Sequence, residues 1–157
     1  MGFIAGKYDV TYGGNTVGQI GDGITTEHFV NKRLITGDNE GATPQDGVYR
    51  GHEFFMEFTL LEYDATASAD VFTPYAAFGA QGVIGRLDVA SGIAKQLVMT
   101  AIAGTTAANS PTTVTADLAI LAEGFPVRML FAPDLRDIPI RMRLYPTAVS
   151  REFFVAA

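Results

Sequence analysis

The chain has 157 residues, 48% of them hydrophobic, with a formal net charge of −6 and no cysteine. That length buries a sizeable core in one domain, and the apolar fraction excludes a disordered chain. The lack of cysteine excludes disulfides, thiolate metal sites and cysteine nucleophiles, and the acidic balance gives no electrostatic grip on nucleic acid.

The start, "MGFIAGKYDV", lacks the basic region and apolar run of a secretory signal, so a cleaved signal is not expected. No apolar run is long enough to span a bilayer, so no membrane partner is expected. Residues 7–20, "KYDVTYGGNTVGQI", read as a hairpin: Tyr8, Val10 and Tyr12 alternate with polar residues, and Gly13-Gly14 supply the turn. Gly21-Asp22-Gly23 reads as a second turn, and residues 24–36 as one long strand of β-branched and aromatic residues. The segment that follows, "GDNEGATPQDGVYRG" (37–51), is polar and Gly-rich and reads as a long loop. Loops of that length in compact domains are usually functional or disordered.

Residues 51–63, "GHEFFMEFTLLEY", read as a strand. Phe54, Met56, Phe58 and Leu60 share one face at period 2 and are the expected core face, while Glu53, Phe55 and Glu57 share the other. Residues 65–78, "ATASADVFTPYAAF", are the one helical stretch, with Ser68 or Asp70 as a cap and Pro74 in a first turn. Strands are expected near 82–88, 94–102, 114–123 and over "VRMLFAP". In "RDIPIRMRLYP" (136–146), Ile138, Ile140, Met142 and Leu144 face one way and Arg141 and Arg143 the other, with Pro139 at an edge or bulge. "SREFFVAA" reads as a last strand. The pattern predicts one mostly-β domain over residues 1–157: a β-sandwich or barrel with one flanking α-helix and a long extended β-hairpin.

Catalytic signals are poor. His28 and His52 fall in predicted strands, where a histidine usually packs or faces solvent, and no third metal ligand has sensible spacing. No serine sits in a nucleophile elbow, and "GQIGDG" and "GAQGVIG" lack the lysine and the strand–loop–helix context of a phosphate loop. Asp38, Glu40 and Asp46 lack the ligand order of a calcium loop. The reading is a non-enzyme with no cofactor and no metal.

The N-terminal pattern "GKYDVTYGGNTVGQIGDGIT" and the following "ITGDNEGATPQDGVYRGHEFFMEFTLLEYD" together resemble the tail tube proteins of tailed bacteriophages, over residues 6–64. The second half matches only in architecture. The resemblance implies a structural subunit of a viral tail. Six copies form a ring, rings stack into a tube, and genomic DNA passes through without specific binding. It implies as partners other copies of the chain, a tape measure protein and a sheath, with the protein made in the bacterial cytoplasm and residing in the virion tail.

On that reading the 37–51 segment reaches the adjoining ring, and Asp38, Glu40, Thr43, Pro44, Asp46, Tyr49 and Arg50 are candidate inter-ring residues. Glu27, Glu53 and Glu57 are candidates for the lumen, and Arg141 and Arg143 for pairing with a neighbour's acidic loops. Four strands per subunit make a barrel of roughly 24 strands and about 48 Å across at the backbone, wide enough for a duplex. Rival expectations are a tail terminator or baseplate ring, a type VI secretion tube subunit and, in another class, a carbohydrate-binding β-sandwich.

Overall fold

The structure, a computed structural model, describes residues 7–37, 41–61, 69–75, 88–104, 110–127 and 137–157, with the side chains of Asp22, Ala69 and Asp70 excepted. The fold is mostly β and antiparallel. The elements are β1 (Tyr8–Tyr12), β2 (Asn15–Thr36), β3 (Pro44–Leu60), α1 (Ala69–Phe72), β4 (Lys95–Ala101), β5 (Thr113–Leu121), β6 (Ile138–Leu144) and β7 (Val155–Ala156). Pairing runs β1–β2–β3–β6–β5–β4 and returns from β4 to β1, so six strands close into a ring. β7 adds to β5, with Val114 opposite Ala156 and Thr115 opposite Val155.

The first hairpin forms where its turn chemistry predicts. Tyr12 pairs with Asn15 around Gly13-Gly14, both at positive φ, as a two-residue turn between twisted strands requires. The turn expected at Gly21–Gly23 is not one. β2 runs straight through it, and the residues surplus to the register with β3 are taken up as an irregularity between Gly21 and Thr25. Glycine serves there as a bulge, because the two sides of β2 have different partners: β1 over residues 15–20 and β3 from Ile20 onward.

The long loop is also corrected. Pairing of β2 with β3 continues to Thr36 opposite Pro44, so residues 44–51 are strand and only 37–43 remain as the connection. Backbone groups make the ladder, so a polar sequence can extend a ribbon whose two faces are both wet.

The period-2 reading of the core holds, except that Phe54, the outermost of its four β3 positions, is only half-buried and packs against the core from its edge. Met56, Phe58 and Leu60 of β3 are buried, as are Ile138, Ile140, Met142 and Leu144 of β6. They meet Tyr8, Val10 and Tyr12 of β1 and Leu97 and Met99 of β4 inside the ring. Tyr8 and Tyr12 bury their rings and find carbonyl acceptors: the Tyr8 hydroxyl donates to Pro111 (2.9 Å) and that of Tyr12 to Ala119 (2.8 Å). Burial pushes the Tyr8 phenol above its ordinary pKa. A second, smaller cluster of Ile93, Ala94 and Ile120, with Leu118 and Tyr145 against it, packs apart from the main core.

Pro139 lies opposite Thr59 of β3 and beyond the stretch of β6 that β5 pairs, so its missing N–H costs no ladder bond on that side. The helix is four residues long within the described segment. Pro74 follows it rather than opening it, which corrects the expectation of a first-turn proline. Ser68, and the expected helical residues 65–68 and 76–78, lie outside the described residues, as do the strand expected near 82–88 apart from Asp88, and all of "VRMLFAP" but Val127.

Candidate functional site: the hairpin arm and the charged sheet face

Beyond the body, β2 and β3 pair only with each other among the described residues: β1 leaves β2 at Ile20, and β6 leaves β3 at Phe54. Residues 29–36 and 44–50 are therefore a two-stranded arm with no further strand on either edge among the described residues. Its side chains are exposed throughout. Val30, Leu34 and Tyr49 share the face continuous with the core side, while Phe29, Ile35 and Val48 share the other. Leu34 is 58% exposed, Tyr49 57% and Val48 50%. Lys32, Arg33 and Arg50 are exposed along the same arm.

The arm joins the body at a bulge. Val30 pairs with His52 and Lys32 with Tyr49, so Arg50 and Gly51 together oppose Asn31. Gly51 takes φ +104, a conformation that a side chain would strain. Aromatic rings brace the joint. His28 stacks flat on Phe54 at 4.2 Å, and His52 sits edge-on to the same ring. Phe153, just before β7, lies 4.6 Å from Phe54 and 5.0 Å from His52, centroid to centroid. Tyr49 and His52 Nδ1 share a hydrogen bond. Nothing in the sequence pattern links Phe153 to the 51–54 stretch; it arrives because β7 returns along β5.

Of the residues singled out for inter-ring contact, Pro44, Asp46, Tyr49 and Arg50 stand on β3 in the arm, and Thr43 is exposed in the connection. Asp46 accepts a hydrogen bond from the Gly47 amide at 2.7 Å. Asp38 and Glu40 lie outside the described residues.

The other candidates come together on the sheet face turned away from the core. Register places Glu27 opposite Phe55, Phe55 opposite Arg143 and Glu57 opposite Arg141, across β2, β3 and β6. Arg141 Nη2 donates to Glu27 Oε2 at 2.9 Å. Its buried Nε lies 3.4 Å from Glu57 Oε1, an ion-pair distance without hydrogen-bond alignment. Arg143 Nη1 donates to Glu53 Oε1 at 3.1 Å, and its Nε to Glu123 Oε2 at 2.8 Å; a second contact, from Nη2, completes the fork on Glu123.

Phe55 lies under both guanidinium groups, 4.2 Å from Arg141 and 4.5 Å from Arg143, which is why an outward-facing phenylalanine is only 7% exposed. The bond from Arg143 holds the Glu123 carboxyl below the ordinary range against the opposing effect of burial, and the same bond pushes the Arg143 pKa up. Arg141 and Arg143 are thus engaged by carboxylates of their own chain. Glu27, Glu53 and Glu57 were legible as outward-facing. Glu123 was not, because it follows β5 and only the β5–β6 pairing brings it to Arg143.

A cavity of about 530 Å3 opens between α1 and the end of β5, lined by Phe72, Pro74, Tyr75, Leu121 and Asp88 among others. The two oxygens of Asp88 accept from Tyr75 and from Tyr145, the latter at 2.6 Å. Burial first, then this bond, pushes the Tyr145 phenol up to about 12 and raises that of Tyr75 as well, so both remain protonated donors at neutral pH. Among the described residues no group of three or more His, Cys, Asp or Glu side chains is placed to hold a metal ion, and no helix is long and apolar enough to cross a membrane. No family model matches the chain, and no curated protein matches it either.

Proposed function

We propose that this chain is the structural subunit of a bacteriophage tail tube, forming rings that stack around a channel for DNA. One observation carries the reading: a two-stranded arm that pairs with no further strand on either edge among the described residues and carries apolar side chains on both faces. An isolated two-stranded ribbon is marginal in water, and its edges invite pairing with another chain. An arm with apolar residues on both faces fits a second copy on each side, as repeated head-to-tail contact supplies. The resemblance over residues 6–64 gives the same answer from the sequence. In this reading the closed ring of strands is the barrel or sandwich body, α1 flanks it, and the arm reaches the adjoining ring. The sheet face bearing Glu27, Glu53 and Glu57 lines the bore.

The test is to shorten the arm at its paired positions. Residues 33–48, bounded by the Arg33–Val48 pair, are replaced by Asn-Gly to close a two-residue turn between Lys32 and Tyr49. Negative-stain microscopy of the wild-type protein is expected to show tubes with a central bore; the shortened variant is expected to keep its circular dichroism spectrum and form none. Tubes assembled equally well by the shortened chain would overturn the role of the arm. Single rings from the wild type would favour a tail terminator or baseplate component instead.

A further inference from the structure

Arg141 and Arg143 stand two residues apart on one face of β6. A guanidinium presents its donors in a planar fork that matches phosphate, and two in a row on a sheet are the material of a phosphate-binding strip. Neither is free here. Glu27 and Glu57 engage Arg141, and Glu53 and Glu123 engage Arg143. Four carboxylates against two guanidinium charges leave the cluster acidic. The carboxylates come from β2, from β3 and from beyond β5, so the cluster also ties together strands distant in sequence. Phe55 fixes both guanidinium groups from beneath.

We infer that Glu27, Glu53, Glu57 and Glu123 mask a latent phosphate-binding pair, so that a DNA duplex passing this face meets no guanidinium able to hold it. The inference rests on the tube reading only in naming DNA as the polyanion that passes. The physical logic is a balance. Four unpaired glutamates gathered around one sheet face would repel one another. Two unpaired arginines would each release counterions from a phosphate and add friction to a moving duplex. Pairing them removes both problems, and the surplus of carboxylates gives the face its sign.

The experiment measures fluorescence anisotropy of a labelled short DNA duplex with the unassembled full-length protein at low salt. The quadruple variant E27Q/E53Q/E57Q/E123Q keeps side-chain shape and removes the masking charges. It is expected to bind the duplex about 10-fold or more tighter than wild type. Its plot of log K against log salt is expected to be steeper by ~1.8, two phosphate contacts at ~0.9 each. A control, D9N/D117N/D137N/E152Q, removes as many charges from exposed positions off this cluster and off the arm and is expected to behave as wild type.

Adding R141Q/R143Q to the glutamine variant is expected to abolish the gain. Binding no tighter than wild type, an equal gain in the control, or a gain that survives loss of both arginines would each overturn the inference. If the quadruple variant does not fold, E53Q/E123Q releases Arg143 alone and is expected to steepen the slope by ~0.9. Because the assay needs no tube, a chain that never polymerises but shows this gain would refute the tube reading and leave the masking intact.

Discussion

Glu123 shows how one side chain can report on the charged face. Its carboxylate sits in the fork of Arg143, and that bond lowers its pKa from the ordinary 4.5. A carboxyl depressed on folding contributes stability that is fully present above its unfolded value and is lost as the pH falls through its folded value. The window for this residue therefore lies below about pH 4.5. Because the Glu123 side chain is 66% exposed, solvent screening limits the effect to under about 1 kcal/mol. Comparing thermal melts of wild type and E123Q from neutral pH downward, the gap between them is expected to be constant above pH 4.5 and to shrink below it. A gap that widened on acidification would show that the bond does not hold the carboxylate charged.

At the scale of elements, the arm departs most from the sequence reading, and for an identifiable reason. The 37–51 segment carries glycine, proline and acidic residues, all weak strand formers, and propensity alone makes it a loop. Its strand state comes from register: once Glu27 faces Phe55 and Val30 faces His52, the next residues of β3 are carried alongside β2 and pair through backbone groups. The Gly51 bulge adjusts the arm's faces where it leaves the body. Exposed positions of the arm should matter little to the fold and much to association. The double substitution L34K/V48K, one position on each face, is expected to change the free energy of unfolding by no more than about 0.5 kcal/mol in urea titrations. In sedimentation assays it should raise the concentration needed for assembly by about 10-fold or more, since charges replace apolar contacts on both faces. Unaltered sedimentation would show that these faces stay wet in the assembled state.

For the whole molecule, closure of the strand ring is the decisive event, and it joins the first strand to one from the middle of the chain. β1 pairs with β2 through a turn of two residues, but also with β4, so that Tyr8 meets Ala101. The Tyr12 hydroxyl then crosses to Ala119 on β5, a bond between residues 107 apart in sequence. Tyr12→Phe keeps the ring volume and deletes only that donor. It is expected to cost about 1 to 2 kcal/mol in urea unfolding, because the acceptor carbonyl is left buried without it. No measurable change would mean that the carbonyl finds another donor. Contacts this distant carry a large loop-closure cost, which predicts slow folding for so small a domain.

The sequence by itself determined which residues face the core. Met56, Phe58 and Leu60 on β3, and Ile138 through Leu144 at alternate positions on β6, are buried as their period-2 pattern requires, because side-chain direction along a strand is a local property of the backbone. It also determined the Gly13-Gly14 turn, whose backbone geometry few other residues tolerate. Only the tertiary structure decided that β4 returns to β1, that β3 extends into the arm, that Phe153 braces the arm's base, and that Arg143 is answered by Glu123. Those features depend on which strands become neighbours, and strand pairing is made by backbone groups that every residue shares.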